Sequence, residues 1–376
     1  MASLTAKRVA VCVGPGGVGK TTIAAALGVR RAVEGSRVLV CTIDPARRLA
    51  NALGLEALGN VEARVPAEKF RDAGLTPRGE LYAMMLDVKR TWDDLVARHA
   101  PDPERRRRIY ENRIYQQLSG ALAGSQEYMA MEKLYELATE RDYDLIVLDT
   151  PPTAHALDFL EAPERILDFL GNETARALLA PAVSAGRFGL RMLHLGSSYV
   201  AKGLARFTGA EVLSQLAEFM AGFEGMYGGF KQRAAAVRAL LGKPEVGFVI
   251  VSSASPRSVD EALYFRQRLA SEAIPIAAMV ANRVTQDLWP AAFGPALPGA
   301  ADIEGALVAR GRRSGEAERL SVRVAQTLAE HQVLARADAL QLGRLFRSSS
   351  TPHAVIQRLE SDVHDLAALA RLAAEL

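Results

Sequence analysis

The segment from Gly14 to Thr22 constrains the fold more than any other part of the chain. It reads Gly-Pro-Gly-Gly-Val-Gly-Lys-Thr-Thr and matches the phosphate-binding loop pattern G-x-x-x-x-G-K-[ST]. The apolar run Arg8–Val13 precedes it, and a helical stretch, Thr22–Arg31, follows it. A strand, a glycine loop and a helix in this order place backbone N–H groups and the positive end of the helix around a phosphate. The sequence therefore predicts a nucleoside triphosphate site after the first strand.

The positions of this loop have different expected roles. Lys20 is expected to reach the β- and γ-phosphates and to act in catalysis, and the Thr21 hydroxyl is expected to ligate Mg²⁺. A chance glycine-rich turn is the alternative, and the flanking strand and helix argue against it. The predicted nucleotide-binding positions of the loop are Gly14, Gly16, Gly17, Val18, Gly19, Lys20, Thr21 and Thr22.

Two aspartates at predicted strand ends supply the remaining chemistry. Asp44 follows the strand Arg37–Thr42, and Asp149 follows the strand Asp144–Leu148. Ligands of open α/β sheets bind at this carboxyl edge. Asp44 could orient and deprotonate an attacking water, and its alternative role is the N-cap of the next helix. Asp149 ends a Walker B strand and is expected to bind nucleotide and hold Mg²⁺.

Short β-rich runs alternate with long helical stretches, which predicts an α/β fold with a mostly parallel sheet flanked by helices. Residues 1–376 are predicted to form a single P-loop ATPase domain, with helical insertions at about 89–141 and 161–241 that build a helical subdomain. Residues 294–315 are rich in Gly, Pro and Ala and are predicted to form a surface loop. The predicted strands are Lys7–Val13, Arg37–Thr42, Leu81–Leu86, Asp144–Leu148, Val246–Val251, Ile276–Ala281 and His353–Leu359.

Composition narrows the classes of function. The chain has 376 residues and a formal net charge of +3, so nucleic acid is not an expected partner. Its two cysteines, Cys12 and Cys41, lie in predicted buried strands, and without a C-x-x-C pair they predict neither a zinc clasp nor a disulfide framework. A reduced cytoplasmic setting is expected. Because no apolar run reaches membrane-spanning length, any membrane role is expected to be peripheral.

Three motifs in combination resemble the ArsA-type ATPases, a family that includes the arsenical-pump ATPase and the tail-anchored-protein targeting ATPase. The motifs are the glycine loop, T-x-D-P-A beginning at Thr42, and L-D-T-x-P-T-x-H-x-L-x-F-L-x-x-P beginning at Leu148. The resemblance implies ATP and Mg²⁺ as cofactors, and Asp44 as the catalytic aspartate of switch I. It also implies that residues 149–153 form switch II, with Pro152 among the nucleotide-binding residues.

The resemblance extends to Ile276–Arg283. There Asn282 matches the asparagine that reads adenine, Arg283 is counted with it as nucleotide-binding, and the loop after His353–Leu359 would close over the base. In family members two subunits enclose nucleotide, and hydrolysis opens and closes the dimer. The expected partners are therefore a second copy of this chain or a paralogous subunit.

Three departures from the family pattern bear on mechanism. Pro15 stands where the family carries a signature lysine, so this chain is a deviant P-loop ATPase without that cation. Arg47 or Arg48 could compensate, a paralogous subunit could supply the charge, or turnover could be slow. The metalloid-binding cysteines of the pump ATPases have no counterparts, which argues against arsenite transport. Ser255 replaces a glutamate that contacts nucleotide in relatives.

The expected function is Mg²⁺-dependent ATP hydrolysis in a dimeric nucleotide switch. The insertion at 161–241 is rich in Met and aromatic residues, and in the targeting ATPases helices at this place bind a client's transmembrane helix. A carrier or chaperone for hydrophobic or membrane-destined proteins is the first hypothesis, and plain packing is the alternative for these side chains. Two further hypotheses are the energising subunit of a membrane transporter and an ATP-binding regulatory partner of a paralogue.

Overall fold

The computed structural model describes residues 4, 6–44, 47–121, 125–150, 226–294, 296–347 and 350–376, and also the single positions 168, 215, 218, 219 and 222. Eight strands of these residues form one sheet in the order β3-β4-β2-β5-β1-β6-β7-β8. All neighbouring strands are parallel except β3 and β4, which confirms the α/β prediction. The strands are β1 Val9–Val13, β2 Arg37–Thr42, β3 Ala63–Arg64, β4 Glu80–Met85, β5 Leu145–Asp149, β6 Val246–Ser253, β7 Ile276–Val284 and β8 His353–Gln357.

The strand bounds agree closely with the sequence prediction. Asp149 is the last residue of β5 rather than the first residue after it, and Asn282 lies inside β7. The edge strand β3 has only two residues and was not predicted, because two residues carry no readable alternation.

Twelve helices flank the sheet in the described part of the chain. Helices α4 to α7 fill the first predicted insertion, whereas the second lies outside the described residues except for α8 and the single positions named above. No helix of the described residues is long and apolar enough to cross a membrane. The helices are α1 Lys20–Glu34, α2 Arg48–Ala52, α3 Ala67–Asp72, α4 Val88–His99, α5 Pro103–Glu111, α6 Arg113–Ala121, α7 Ser125–Glu140, α8 Tyr227–Leu241, α9 Pro256–Ser271, α10 Ala300–Ala309, α11 Ser314–Phe346 and α12 Leu366–Glu375.

The sheet divides the apolar interior into two cores. In β1, Val9, Val11 and Val13 face the core that contains α4, α7, α8 and α9, while Ala10 and Cys12 face the core that contains α1 and α12. A strand covered on both faces has no polar side, which explains its continuous apolar run. The burial of both faces leaves the strand ends as the places where polar chemistry is possible.

The predicted surface loop at 294–315 is wrong over much of its length. Residues Ala300–Ala309 form α10, and α11 begins at Ser314 and continues for 33 residues. The Gly299 N–H donates to Asp302 Oδ2 at 2.9 Å and fixes the start of α10. Alanine is the strongest helix former, and α10 packs along α11, so the alanines counted as loop residues instead support a helical hairpin.

Candidate nucleotide-binding site

Glycines are required at two positions of the loop between β1 and α1. Gly14 has φ +148°, and a Cβ there would lie 2.0 Å from the Val251 carbonyl oxygen of β6. Gly19 has φ +92°, and a Cβ there would lie 2.4 Å from Asn282 Nδ2. Side chains are therefore excluded by both backbone conformation and space, and the loop packs tightly against β6 and β7.

Lys20 is buried within this loop. Its ammonium donates to the carbonyl oxygens of Gly14 and Pro15, each at 2.9 Å. Burial lowers the pKa of Lys20, and the negative charge of Asp149 opposes that shift. The loop thus encloses the Lys20 ammonium, and the Asp149 carboxylate, which is distant in sequence, is close enough to raise the pKa of Lys20.

Asp149 is the polar centre of the site. Its Oδ2 accepts hydrogen bonds from Thr21 Oγ1 at 2.7 Å and from Thr42 Oγ1 at 2.8 Å. Its Oδ1 is buried and has no hydrogen-bond partner among the described residues. Burial raises the pKa of the Asp149 carboxyl to about 6, while the two hydroxyls and Lys20 lower it. One carboxylate oxygen is therefore held by two hydroxyls, and the other is left as a buried acceptor.

The donor set around Asp149 fits a hard divalent cation. A hydroxyl that donates its single proton keeps its lone pairs, so Thr21 Oγ1 and Asp149 Oδ1 could both serve as oxygen ligands. The described residues contain no group of three or more His, Cys, Asp or Glu side chains arranged to hold a metal ion. Mg²⁺ commonly binds to one or two protein oxygens together with substrate phosphates and water, which is the ligand set that this edge could provide.

Asp44 lies at the carboxyl end of β2, next to this centre. Its backbone N–H donates to Thr42 Oγ1 at 3.1 Å, and its Oδ2 lies 3.8 Å from Arg48 Nη1. In the described residues, helix α2 begins after Arg47, which stands at its N-cap position.

A cleft of about 830 Å³ brings the predicted residues together. Its walls include Lys20, Thr21 and Thr22 of the loop, with Asp44 and Arg48 beside them. Asn282 and Arg283 form another wall, and residues 357–364 after β8 complete it. The segment after β8 thus lies where the resemblance places the loop over the base.

Asn282 and Arg283 contact the loop directly. Asn282 is buried, its Nδ2 donates to the Val18 carbonyl oxygen at 2.8 Å, and its Oδ1 accepts from the Arg283 N–H at 3.0 Å. Arg283 has φ +60°, which is uncommon for a residue with a side chain, and its Nη1 donates to the Gly17 carbonyl oxygen at 3.0 Å. These two residues therefore connect β7 to the phosphate loop across the cleft.

The other predicted positions have mixed outcomes. The Val18 side chain is buried in the core next to α1, so only its backbone is available to a ligand, and Gly16 is exposed. Pro152 and the rest of switch II after Thr150 lie outside the described residues. Ser255 is the N-cap of α9 and accepts from the Ser258 N–H at 3.3 Å.

Both cysteines are buried and free. Burial raises the pKa of the Cys41 thiol to about 12 and raises that of Cys12 further above its ordinary value. Burial therefore favours the protonated thiol at both positions.

The apolar insertion at 161–241 is mostly outside the described residues. Of its described aromatic and methionine residues, Phe219, Met226 and Phe230 are buried in the core beneath α4 and α7. For these three side chains the structure supports packing.

Sequence reasoning missed Thr42 as a member of the site. It is 1% exposed, and its hydroxyl contacts both Asp149 and the backbone of Asp44. The available signals were its position at the end of a strand and its place as the first residue of the T-x-D-P-A motif, two residues before a candidate catalytic aspartate.

The parallel sheet, the glycine loop after β1 and the buried aspartate that ends β5 are features of the P-loop nucleotide-binding proteins of the α/β class. The family model for anion-transporting ATPases matches residues 7–289, which is most of the chain. The chain belongs to this family.

Relatives with similar sequences come from fungi, plants and bacteria. The ATPase get3 of Aspergillus terreus is 33% identical over 151 residues, 40% of this chain and 41% of that protein. The ATPase GET3A of Arabidopsis thaliana is 30% identical over 152 residues, 40% of this chain and 36% of that protein. The uncharacterized protein SCO2128 of Streptomyces coelicolor is 32% identical over 189 residues, 48% of this chain and 42% of that protein. The chain therefore spans about two fifths of the length of these relatives.

Proposed function

We propose that this chain is a Mg²⁺-dependent ATP hydrolase that works as a dimeric nucleotide switch. One observation carries the proposal: Lys20, Thr21 and Asp44 line one cleft, and Thr21 is hydrogen-bonded to Asp149, whose Oδ1 is buried without a partner among the described residues. A buried acceptor without a donor is costly, and its place beside the Thr21 hydroxyl and the glycine loop supports a site for a cation.

Each residue has a role that its contacts support. Lys20 places a positive charge inside the loop, where phosphate oxygens could replace the two carbonyl oxygens that it now contacts. Thr21 and Asp149 would hold Mg²⁺, which when bound neutralises charge on the phosphate oxygens. Asp44 would orient the attacking water and accept its proton. Phosphoryl transfer depends mainly on such positioning and charge stabilisation.

Arg48 is the better candidate to replace the charge that is absent at Pro15. Of the two arginines considered from the sequence, Arg48 lines the cleft and lies near the Asp44 carboxylate, whereas Arg47 does not line it. We expect Arg48→Gln to lower turnover by at least about 10-fold, because it removes a cation next to developing negative charge. An unchanged rate would leave two explanations for Pro15, a charge supplied by a paralogous subunit and slow turnover.

ATP turnover by the purified chain, measured across protein concentration, tests the main proposal. For a homodimeric ATPase, turnover per subunit rises with concentration to a plateau. We expect Asp44→Asn to lose turnover while keeping nucleotide binding. A matched control is Thr91→Val, which removes a buried hydroxyl on α4. Thr91 is not among the described residues that line the cleft. Nucleotide binding without turnover at any concentration would contradict the proposal for the homodimer.

We further propose that the switch serves as a cytoplasmic carrier for hydrophobic or membrane-destined proteins, with peripheral membrane association. The family resemblance and the Met- and aromatic-rich sequence of 161–241 support this role. Hydrogen exchange on that segment, with and without nucleotide, tests it. Nucleotide-dependent protection is expected, and uniform strong protection in both states would overturn the client-binding role. Co-purification of one polytopic membrane protein, instead of varied hydrophobic clients, would favour a transporter subunit.

A further inference from the structure

We propose that Thr42 is a positioning residue that couples the magnesium-binding aspartate to the catalytic aspartate. The inference deepens the proposed ATP hydrolysis and rests on it for the role of Asp44. Thr42 is not among the described residues that line the cleft. Thr42 acts through Asp149 on one side and through the backbone of Asp44 on the other.

Strand register brings Thr42 next to Asp149. The two residues are direct neighbours across the parallel pair β2 and β5, where each strand ends. Thr42 Oγ1 donates to Asp149 Oδ2 at 2.8 Å and accepts from the Asp44 N–H at 3.1 Å. One hydroxyl thus contacts both carboxylate-bearing residues, and the residue is almost wholly buried.

The direction of the hydrogen bonds gives Thr42 a defined effect on the carboxylate. Thr21 and Thr42 both donate to Oδ2, which leaves Oδ1 as the oxygen that can accept a cation or its bound water. Without Thr42, Oδ2 would lose one of two donors, and rotation of the carboxylate would expose either oxygen to the cation. Groups that orient a metal ligand in this way commonly change metal affinity or activity by 10–100-fold.

The same hydroxyl fixes the start of the segment that carries Asp44. Thr42 is the last residue of β2, and Asp44 is the second residue after that strand. A bond from its N–H to Thr42 Oγ1 therefore ties the Asp44 backbone to the oxygen that also holds Asp149. A change at Asp149 on cation binding would reach Asp44 through a single side chain.

Threonine suits this position for two reasons. Its branched Cβ restricts χ1 in a strand, so the hydroxyl is held in one direction. Its hydroxyl is both a donor and an acceptor, which the two contacts require. Valine has nearly the same shape but can make neither bond, whereas serine can make both.

The test compares Thr42→Val with Thr42→Ser and with Thr91→Val. Thr91 is also buried, and its Oγ1 donates to the Asp87 carbonyl oxygen at 2.8 Å, so its removal controls for the loss of a buried hydroxyl. Three quantities are measured. They are the Mg²⁺ concentration that gives half-maximal binding of a fluorescent ATP analogue, the affinity of the protein for that analogue in EDTA, and kcat for ATP.

We expect Thr42→Val to raise the half-saturating Mg²⁺ concentration by about 10–100-fold and to lower kcat by a similar factor. The affinity for the ATP analogue in EDTA should change by less than about 3-fold, since the variant keeps the glycine loop and Lys20. Thr42→Ser should restore both quantities to within about 3-fold of the wild type. Thr91→Val should leave all three measurements unchanged.

Two results would overturn the inference. One is a wild-type Mg²⁺ requirement in Thr42→Val, and the other is a Thr42→Ser variant as impaired as Thr42→Val, which would indicate a role in packing alone. Asp44→Asn separates this inference from the proposed function. If that variant keeps full turnover, the catalytic role of Asp44 is wrong, and the Mg²⁺ measurement on Thr42→Val still decides whether Thr42 orients Asp149.

Discussion

Two buried carboxylates in this protein lie in contrasting surroundings. Asp149 at the end of β5 is held by the hydroxyls of Thr21 and Thr42, and no arginine or lysine of the described residues is in hydrogen-bond contact with it. Glu132 of α7 is 3% exposed, and its Oε1 accepts from Arg233 Nε of α8 at 2.5 Å. Burial raises the pKa of both carboxyls, and in Glu132 the charge of Arg233 opposes the shift.

The difference lies in which cation each carboxylate can use. Glu132 has a cation that is covalently part of the chain, so its charge is compensated in every state, and Arg233 also stacks over the Tyr135 ring at 4.2 Å. Among the described residues, the hydrogen-bond donors to Asp149 are two neutral hydroxyls, and Lys20 acts on it only through its charge, so a cation from solution can bind the carboxylate directly. The pair of Arg233 with Glu132 links α7 to α8 and is structural. The hydroxyls around Asp149 leave its charge available to a bound cation.

The largest expected effect comes from breaking the structural pair. Arg233→Met should lower the free energy of unfolding by about 3–5 kcal/mol, because it leaves Glu132 as a buried charge without a partner. The double variant Glu132→Leu with Arg233→Met should recover most of that loss. Urea denaturation of the wild type, both single variants and the double variant measures the coupling. Additive losses would show that the two residues do not act as a pair and would break the comparison.

The corresponding change at the other carboxylate should affect function more than stability. Asp149→Asn removes the charge that we propose holds Mg²⁺, and turnover should fall by about 10²–10³-fold, or about 3–4 kcal/mol in activation free energy. Steady-state ATPase assays check the rate, and circular dichroism checks that the fold is kept. Activity comparable with the wild type would contradict the metal-binding role of Asp149.

The stability of the metal-free protein should depend on pH through Asp149. A carboxyl whose pKa is raised in the folded state favours folding when protonated, so its contribution is full below about pH 4 and is lost as the pH rises to about 6. The free energy of unfolding in EDTA should fall by up to about 3 kcal/mol across this range. Asp149→Asn is the control and should lack that part of the slope. The same slope in both proteins would show that Asp149 does not titrate in this range.

The smallest expected effect is a difference in stability between two glycine substitutions in the phosphate loop. It separates the cost of a strained backbone from the cost of a steric clash. Gly17 and Gly19 both have positive φ, but a Cβ at Gly17 meets nothing within 4 Å, whereas one at Gly19 meets Asn282. Gly17→Ala should therefore lower the free energy of unfolding by about 1 kcal/mol through strain alone, and Gly19→Ala should cost about 1 kcal/mol more. Thermal denaturation and nucleotide affinity of the pair measure this difference. Equal losses would mean that the Asn282 side chain moves aside at no cost.

Much of the nucleotide site could be predicted from local patterns. The glycine loop, Lys20 and Thr21 follow from a motif in which neighbouring residues do the work, and Asp44 and Asp149 follow from apolar runs that end in a carboxylate. Local composition misled at 294–315, because the alanines of α10 were grouped with nearby glycines and prolines. The packing of α10 against α11, which favours the helix there, is a tertiary contact.

The sequence by itself determined the class of fold and the phosphate loop, because hydrophobic runs and glycine spacing act over short distances along the chain. Only the tertiary structure decided that Thr42 meets Asp149 across 107 residues and that Asn282 meets Val18 across 264. It also decided that Glu132 pairs with Arg233, while Asp149 accepts from the hydroxyls of Thr21 and Thr42. The physical reason is that strand order and register determine which side chains, far apart in sequence, come into contact. Short-range sequence patterns carry no information about the order or the register of the strands.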